Sequence, residues 1–224
     1  MSTEPVISVQ GEAVLEAGPE IAVLQIRVRA SDKDRDRALE LLAARHAQLL
    51  GVVEGYGAAV EQVASEPARV VPVFKDDRPR ERITGYTAHG GLEVTVRDFT
   101  VLGDLVIQAA RSGLTEVSGP WWALRPDSPV HREARLAAAA DALRRARDYA
   151  AAFGGQVTGL IEVADQGMLV EPQVRRPMVH GVAVGRAAFA EGEAPALDLE
   201  PARQIVRGQV QARFTMTQPD LAGP

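Results

Sequence analysis

IAVLQIRVRA, residues 21–30, sets apolar side chains against Arg27 and Arg29 in near-strict alternation, and at Asp32 the apolar period lengthens from two residues to helical spacing. Alternation requires a strand with one wet face, so the stretch belongs to a sheet covered on one side only. Its apolar set reads as Ile21 and Val23, then Ile26, Val28 and Ala30, and the change of phase at Leu24 to Ile26 predicts a bulge. Upstream, Val6 to Leu15 alternates weakly and meets Gly18-Pro19, which predicts a hairpin with residues 21–30.

Downstream, Ala38, Leu41, Leu42, Leu49, Val52, Val53 and Tyr56 form a helical stripe, with Ser31 or Asp32 as cap and Gly55 and Gly57 as stop. VEQVASEPARVVPVF carries Pro67 and Pro72, which confine it to an edge or bulged strand, and ITGYTAHGGLEVTVRD alternates as its hairpin partner. A second helix is predicted from about Phe99 to Arg111. LTEVSGPWWALRP gives a fifth strand broken at Gly119-Pro120. A third helix starts at Asp127 or Ser128, with Pro129 in its first turn and Leu136, Ala139, Ala140, Leu143, Ala146, Ala150 and Phe153 as its apolar face. Leu136, Leu143, Ala146 and Phe153 are the expected core contacts, and the alanines allow close approach to a sheet. Two further strands follow, QVTGLIEVADQG and RQIVRGQVQARFTM.

The element order is therefore ββα-ββα-βα-ββ, an α+β two-layer sandwich with helices on one face of a mainly antiparallel sheet. Between the last two strands, residues 168–202 hold four prolines and no period. A loop of that length is either disordered or a functional or interface arm.

Composition closes several function classes. The absence of cysteine removes disulfides, thiolate metal sites and cysteine nucleophiles. A net charge of −5 with no basic block gives no nucleic-acid footprint, and no apolar run is long enough to cross a membrane as a helix. MSTEPVISVQGE lacks the pattern of a leader, so the expected location is the cytoplasm, or the periplasm or exterior if a leader was removed.

His46, His89, His131 and His180 lie in neither His-Glu-x-x-His nor nucleophile-elbow contexts, and the glycines of GVVEGYGAAV close a helix where a phosphate loop would open one. No catalytic residue, cofactor site or metal site is assigned. Arg144 and Arg145, matched by Asp141 and Asp148, read as a solvated helix face. Tyr86, His89 and Arg97 form the candidate ligand cluster of the alternative reading, a small-ligand protein or an enzyme with a scattered site. Trp121 and Trp122 are adjacent in a strand, so only one can enter a core covered on one side. A bulge at Gly119-Pro120 is expected to change the spacing between them and Val117.

VISVQGEAVLEAGPEIAVLQIRV, GYTAHGGLEVTVRD and REARLAAAADALRRARDYAAAFGGQVTGLIEV, in that order, resemble the SIMPL family over residues 6–217. Glu20 stands where the family more often has aspartate, Gly85, Tyr86, Arg97 and Asp98 match its second motif, and EPAR replaces a frequent Pro-Gly before the last strand. The resemblance implies a domain of unknown function, found among periplasmic immunogenic proteins and associated with stress and with oligomeric assemblies. It also places a large apolar residue of the fifth strand at Trp122, so that Trp122 and Leu124, joined by Val117, are expected inside and Trp121 outside, in a subunit contact or under the proline-rich arm. The expected function is a non-enzymatic binding or scaffolding protein, a homo-oligomer, with another protein as a further partner.

Overall fold

A computed structural model describes residues 4–74, 83–111, 115–165 and 199–220. The strands are β1 (Val6–Ala17), β2 (Ile21–Asp32), β3 (Val60–Phe74), β4 (Ile83–Val96), β5 (Thr115–Ala123), β6 (Val157–Asp165) and β7 (Gln204–Met216). The helices are α1 (Arg35–Glu54), α2 (Leu102–Ala110) and α3 (Pro129–Ala152). The architecture is α+β in the expected order, with the strands divided between two sheets belonging to two compact units. β1 and β2 therefore do not form the expected hairpin. β1 joins β7 and β6, whereas β2 lies between β4 and β5.

The larger unit has the sheet order β3-β4-β2-β5, with every neighbouring pair antiparallel. β2 alternates without interruption: Ala22, Leu24, Ile26, Val28 and Ala30 are buried. The expected phase change is absent, because Ile21 and Val23 lie on the opposite face. The irregularity sits on β5, where Gly119 and Pro120 together oppose Leu24. Ala38, Leu42, Leu49 and Val53 of α1 and Leu102, Leu105 and Ala109 of α2 cover the inward face, meeting Leu92, Val94 and Val96 of β4. Asp34, not Ser31 or Asp32, caps α1 by accepting from the Arg37 amide, since β2 runs on through Asp32. The Tyr56 hydroxyl donates to Asp104 of α2 at 2.6 Å, and burial together with that bond raises its pKa.

In the smaller unit α3 lies on the sheet β1-β7-β6, and its buried face agrees with the expected one at Ala146 and Ala150 but not at Leu136 and Phe153. Ala134, Ala138, Ala142, Ala146 and Ala150, a row four residues apart, are buried, whereas Leu136 and Phe153 are each 53% exposed and Leu143 is half-buried. Small side chains let the helix backbone approach the strands more closely than leucines would. A Cβ at Gly11 of β1 would stand 2.1 Å from the Ala138 carbonyl oxygen, and one at Gly208 of β7 2.0 Å from that of Ala134. Asp141, expected on the wet face, is 8% exposed in this interface. It accepts from the Glu12 amide of β1 at 3.0 Å and pairs with Arg145 at 2.7 Å and with Arg144. The bond from Glu12, followed by the two arginines, holds its carboxyl below the usual range. Ser128 caps α3 through the Val130 amide, with Pro129 in the first turn.

The proline-rich arm at 168–202 falls outside the described residues apart from residues 199–202, as does His180.

Candidate functional site

The helices of the larger unit cover one face of its sheet, and alternation sends every second side chain to the other. Register places Val23, Gln25, Arg27, Arg29 and Ser31 of β2 there, opposite Thr95, Glu93, Gly91, His89 and Thr87 of β4. Two bulges change what this open face presents. On β3, Glu66 and Arg69 are three positions apart while their partners Gly91 and His89 are two apart. In an unbroken strand that odd spacing would send the two side chains to opposite faces, and the bulge at Pro67 lets both face outward. On β5, Ser118 pairs with Gln25 and Trp121 with Val23, so the Gly119-Pro120 bulge turns Trp121 to the same face as Glu116 and Ser118.

The face is graded along its strands. At one end Trp121 is 48% exposed beside Val23. Its neighbour Trp122 pairs with Ala22, packs on the core and meets Phe99 edge to face at 4.9 Å. Val117 pairs with Ile26 and joins that inward set, as the bulge requires. At the other end lies a groove of about 880 Å³ lined by Arg27, Arg29, Glu66, Arg69, His89 and Glu116, among others. Arg27 reaches across β4 to Glu66, Nε to Oε2 at 3.1 Å, passing over Gly91. A Cβ at Gly91 would lie 3.1 Å from that same Oε2, so glycine keeps the path clear. The Glu66 hydrogen bond raises the pKa of the Arg27 guanidinium.

The candidate cluster Tyr86, His89 and Arg97 is not brought together. All three are near β4, but Tyr86 faces the helices and packs on the core, and His89 faces outward into the groove. Arg97 follows the end of the strand, where its Nε donates to the Ala58 carbonyl at 2.6 Å and pins the turn after α1. His46 lies on α1 and His131 in the first turn of α3. Among the described residues no three His, Asp or Glu side chains gather to hold a metal ion.

Arg125 also escaped the sequence reading. It holds Glu61 at 2.5 Å and 3.2 Å, and its amide donates to Glu20 at 2.9 Å, which ties residues entering and leaving the larger unit to β3. The Arg125 hydrogen bond lowers the pKa of the Glu61 carboxyl. The only sequence signal was the acidic residue at position 20 of the family motif.

The chain is 29% identical over 149 residues to the uncharacterized protein YggE of Escherichia coli K12, covering 66% of this chain and 61% of that protein. It is 26% identical over 189 residues to the 26 kDa periplasmic immunogenic protein of Brucella melitensis, covering 81% of this chain and 74% of that one. The chain thus spans about three fifths of the length of the E. coli relative. Among the described residues no helix is long and apolar enough to cross a membrane. The SIMPL model, described as a protein of unknown function (DUF541), matches residues 7–214, and the chain belongs to that family.

Proposed function

We propose that the protein is a non-enzymatic binding or scaffolding protein that self-associates through the open face of its four-stranded sheet. The observation that carries this reading is the position of Trp121, 48% exposed on the face of its sheet opposite α1 and α2, which no described helix of the larger unit covers, next to an inward-facing Trp122. A bulge is needed to turn that ring outward, and an exposed tryptophan is the residue type most enriched at the energetic centres of protein contacts. Residues 6–217 act as one family domain carrying the arm at 168–202. The setting is the periplasm in place of the cytoplasm expected from the N-terminus, supported by the periplasmic designation of the Brucella relative. A role under envelope or oxidative stress follows from the family resemblance alone.

Sedimentation velocity tests the self-association. Wild type should sediment as a multimer at micromolar concentration and Trp121→Ala as a smaller species, with a contact loss of about 2 kcal/mol or more. A monomeric wild type, or a Trp121→Ala protein that assembles unchanged, contradicts the proposal.

A further inference from the structure

The groove at the charged end of the open face has a second property, independent of assembly through Trp121. Arg29 and Val23, the cross-strand partner of Trp121, are six residues apart on β2, roughly 20 Å at the rise of a strand.

Two rows of side chains cross the groove. In the first, Glu116, Arg27 and Glu66 alternate in sign, with Gly91 between Arg27 and Glu66, so that row is internally compensated. In the second, Arg29 on β2, His89 on β4 and Arg69 on β3 stand directly opposite one another in register. None of these three side chains has a hydrogen bond or ion pair among the described residues. The Arg45 guanidinium donates to the Arg29 backbone carbonyl and leaves the Arg29 side chain untouched. Arg29 and Arg69 thus flank His89 in a row that holds no carboxylate. The β3 bulge at Pro67 contributes to this, because it turns Arg69 into the row that an unbroken strand would have kept it out of. An anion placed between the two guanidinium groups would offset their charge.

We propose that this row is a binding site for a small, multiply charged anion bearing phosphate or carboxylate groups. Two guanidinium forks about two strand spacings apart, near 10 Å at their Cα atoms, can each present paired N–H donors to anionic oxygens, and the imidazole between them adds a third donor. Glu66 and Glu116 border the site and hold Arg27 away from the ligand. A groove of about 880 Å³ falls within the range of small-molecule sites. This gives the small-ligand alternative a location, using only His89 of the three residues first grouped for it.

Isothermal titration calorimetry of the full chain at low ionic strength, with pyrophosphate and with citrate in separate titrations, tests the site. At least one anion should bind saturably at one per chain. Pyrophosphate alone would identify a phosphate site, citrate alone a carboxylate site, and both a general polyanion site. Arg29→Gln and Arg69→Gln should each weaken binding about tenfold or more, while Arg213→Gln in the smaller unit should leave it unchanged. Absence of saturable binding by both anions overturns the proposal, as does binding insensitive to the Arg29 and Arg69 substitutions or equally weakened by the control. Sedimentation of Arg29→Gln should match wild type, so failure here is distinguishable from failure of self-association.

Discussion

The two units cover their sheets in opposite ways. In the larger one, Leu24, Ile26, Leu92, Leu102 and Leu105 are fully buried between sheet and helices, and contact is made by filling space with large side chains. In the smaller one, five alanines of α3 are buried, Ala134, Ala138 and Ala142 stand against Gly11 and Gly208, and contact is made by removing side chains until backbones nearly meet. Both arrangements exclude water and satisfy the apolar stripe of a helix, yet they fail under opposite substitutions. The first is vulnerable to truncation and the second to enlargement. The bulky residues of α3 are consequently left outside.

That contrast breaks most readily at Leu92→Ala, which should cost about 2–5 kcal/mol in urea unfolding through the cavity it leaves. A loss near zero would mean that the larger core is not tightly packed. Gly208→Ala should cost about 1–3 kcal/mol, although only a methyl group is added, because the Ala134 carbonyl cannot retreat without moving α3. If the added methyl stabilised the protein, close backbone approach would be refuted.

A smaller effect is expected at Asp141→Asn, which retains an acceptor for the Glu12 amide but removes the charge facing Arg144 and Arg145. Because folding lowers the Asp141 pKa, its contribution is present above the ordinary carboxylate range and lost as pH falls through the folded value. Wild type should therefore melt higher than the variant at pH 7, and the gap should close below about pH 4. A gap that widened with acid would reverse the sign of the account. The smallest changes belong to Leu136→Ala and Phe153→Ala, each within about 0.5 kcal/mol, since both side chains are exposed. A large loss at either would restore the helical face expected from the sequence.

Legibility followed the same division. The larger unit was readable because its contacts are made by large apolar residues whose period shows directly, as in Leu92, Val94 and Val96, and because Pro67 announced an edge strand with a bulge. α3 was readable as a helix but not in its orientation: on a helix with alanine on several sides, leucine and phenylalanine give the stronger signal and here point the wrong way. Asp141 looked like an ordinary surface acid because its partner Glu12 is distant in sequence and contributes only a backbone amide. The division into two sheets was hidden for a related reason, since strand neighbours in sequence need not be neighbours in space, and β1 pairs instead with the last strand.

At the open face, alternation sent Trp121 and Trp122 to opposite sides, and the family resemblance chose Trp122 as the inward one. The charged groove was not, because Arg29, His89 and Arg69 come from three strands and meet only through a register that one bulge sets. Sequence proximity to the Gly-Tyr motif instead suggested Tyr86 and Arg97, which the pleat and the end of β4 carry elsewhere.

Trp121 and Trp122 are the only tryptophans in the chain, so the working face can be watched directly. In Trp122→Phe the emission reports Trp121 alone, and its quenching by iodide can be followed from nanomolar to tens of micromolar protein. Burial of Trp121 in a subunit contact predicts strong quenching when dilute and progressive protection as concentration rises, in step with the sedimenting mass. Equal quenching throughout, with a mass that still increases, would place the contact elsewhere and contradict the assignment of the open sheet face as the assembly surface.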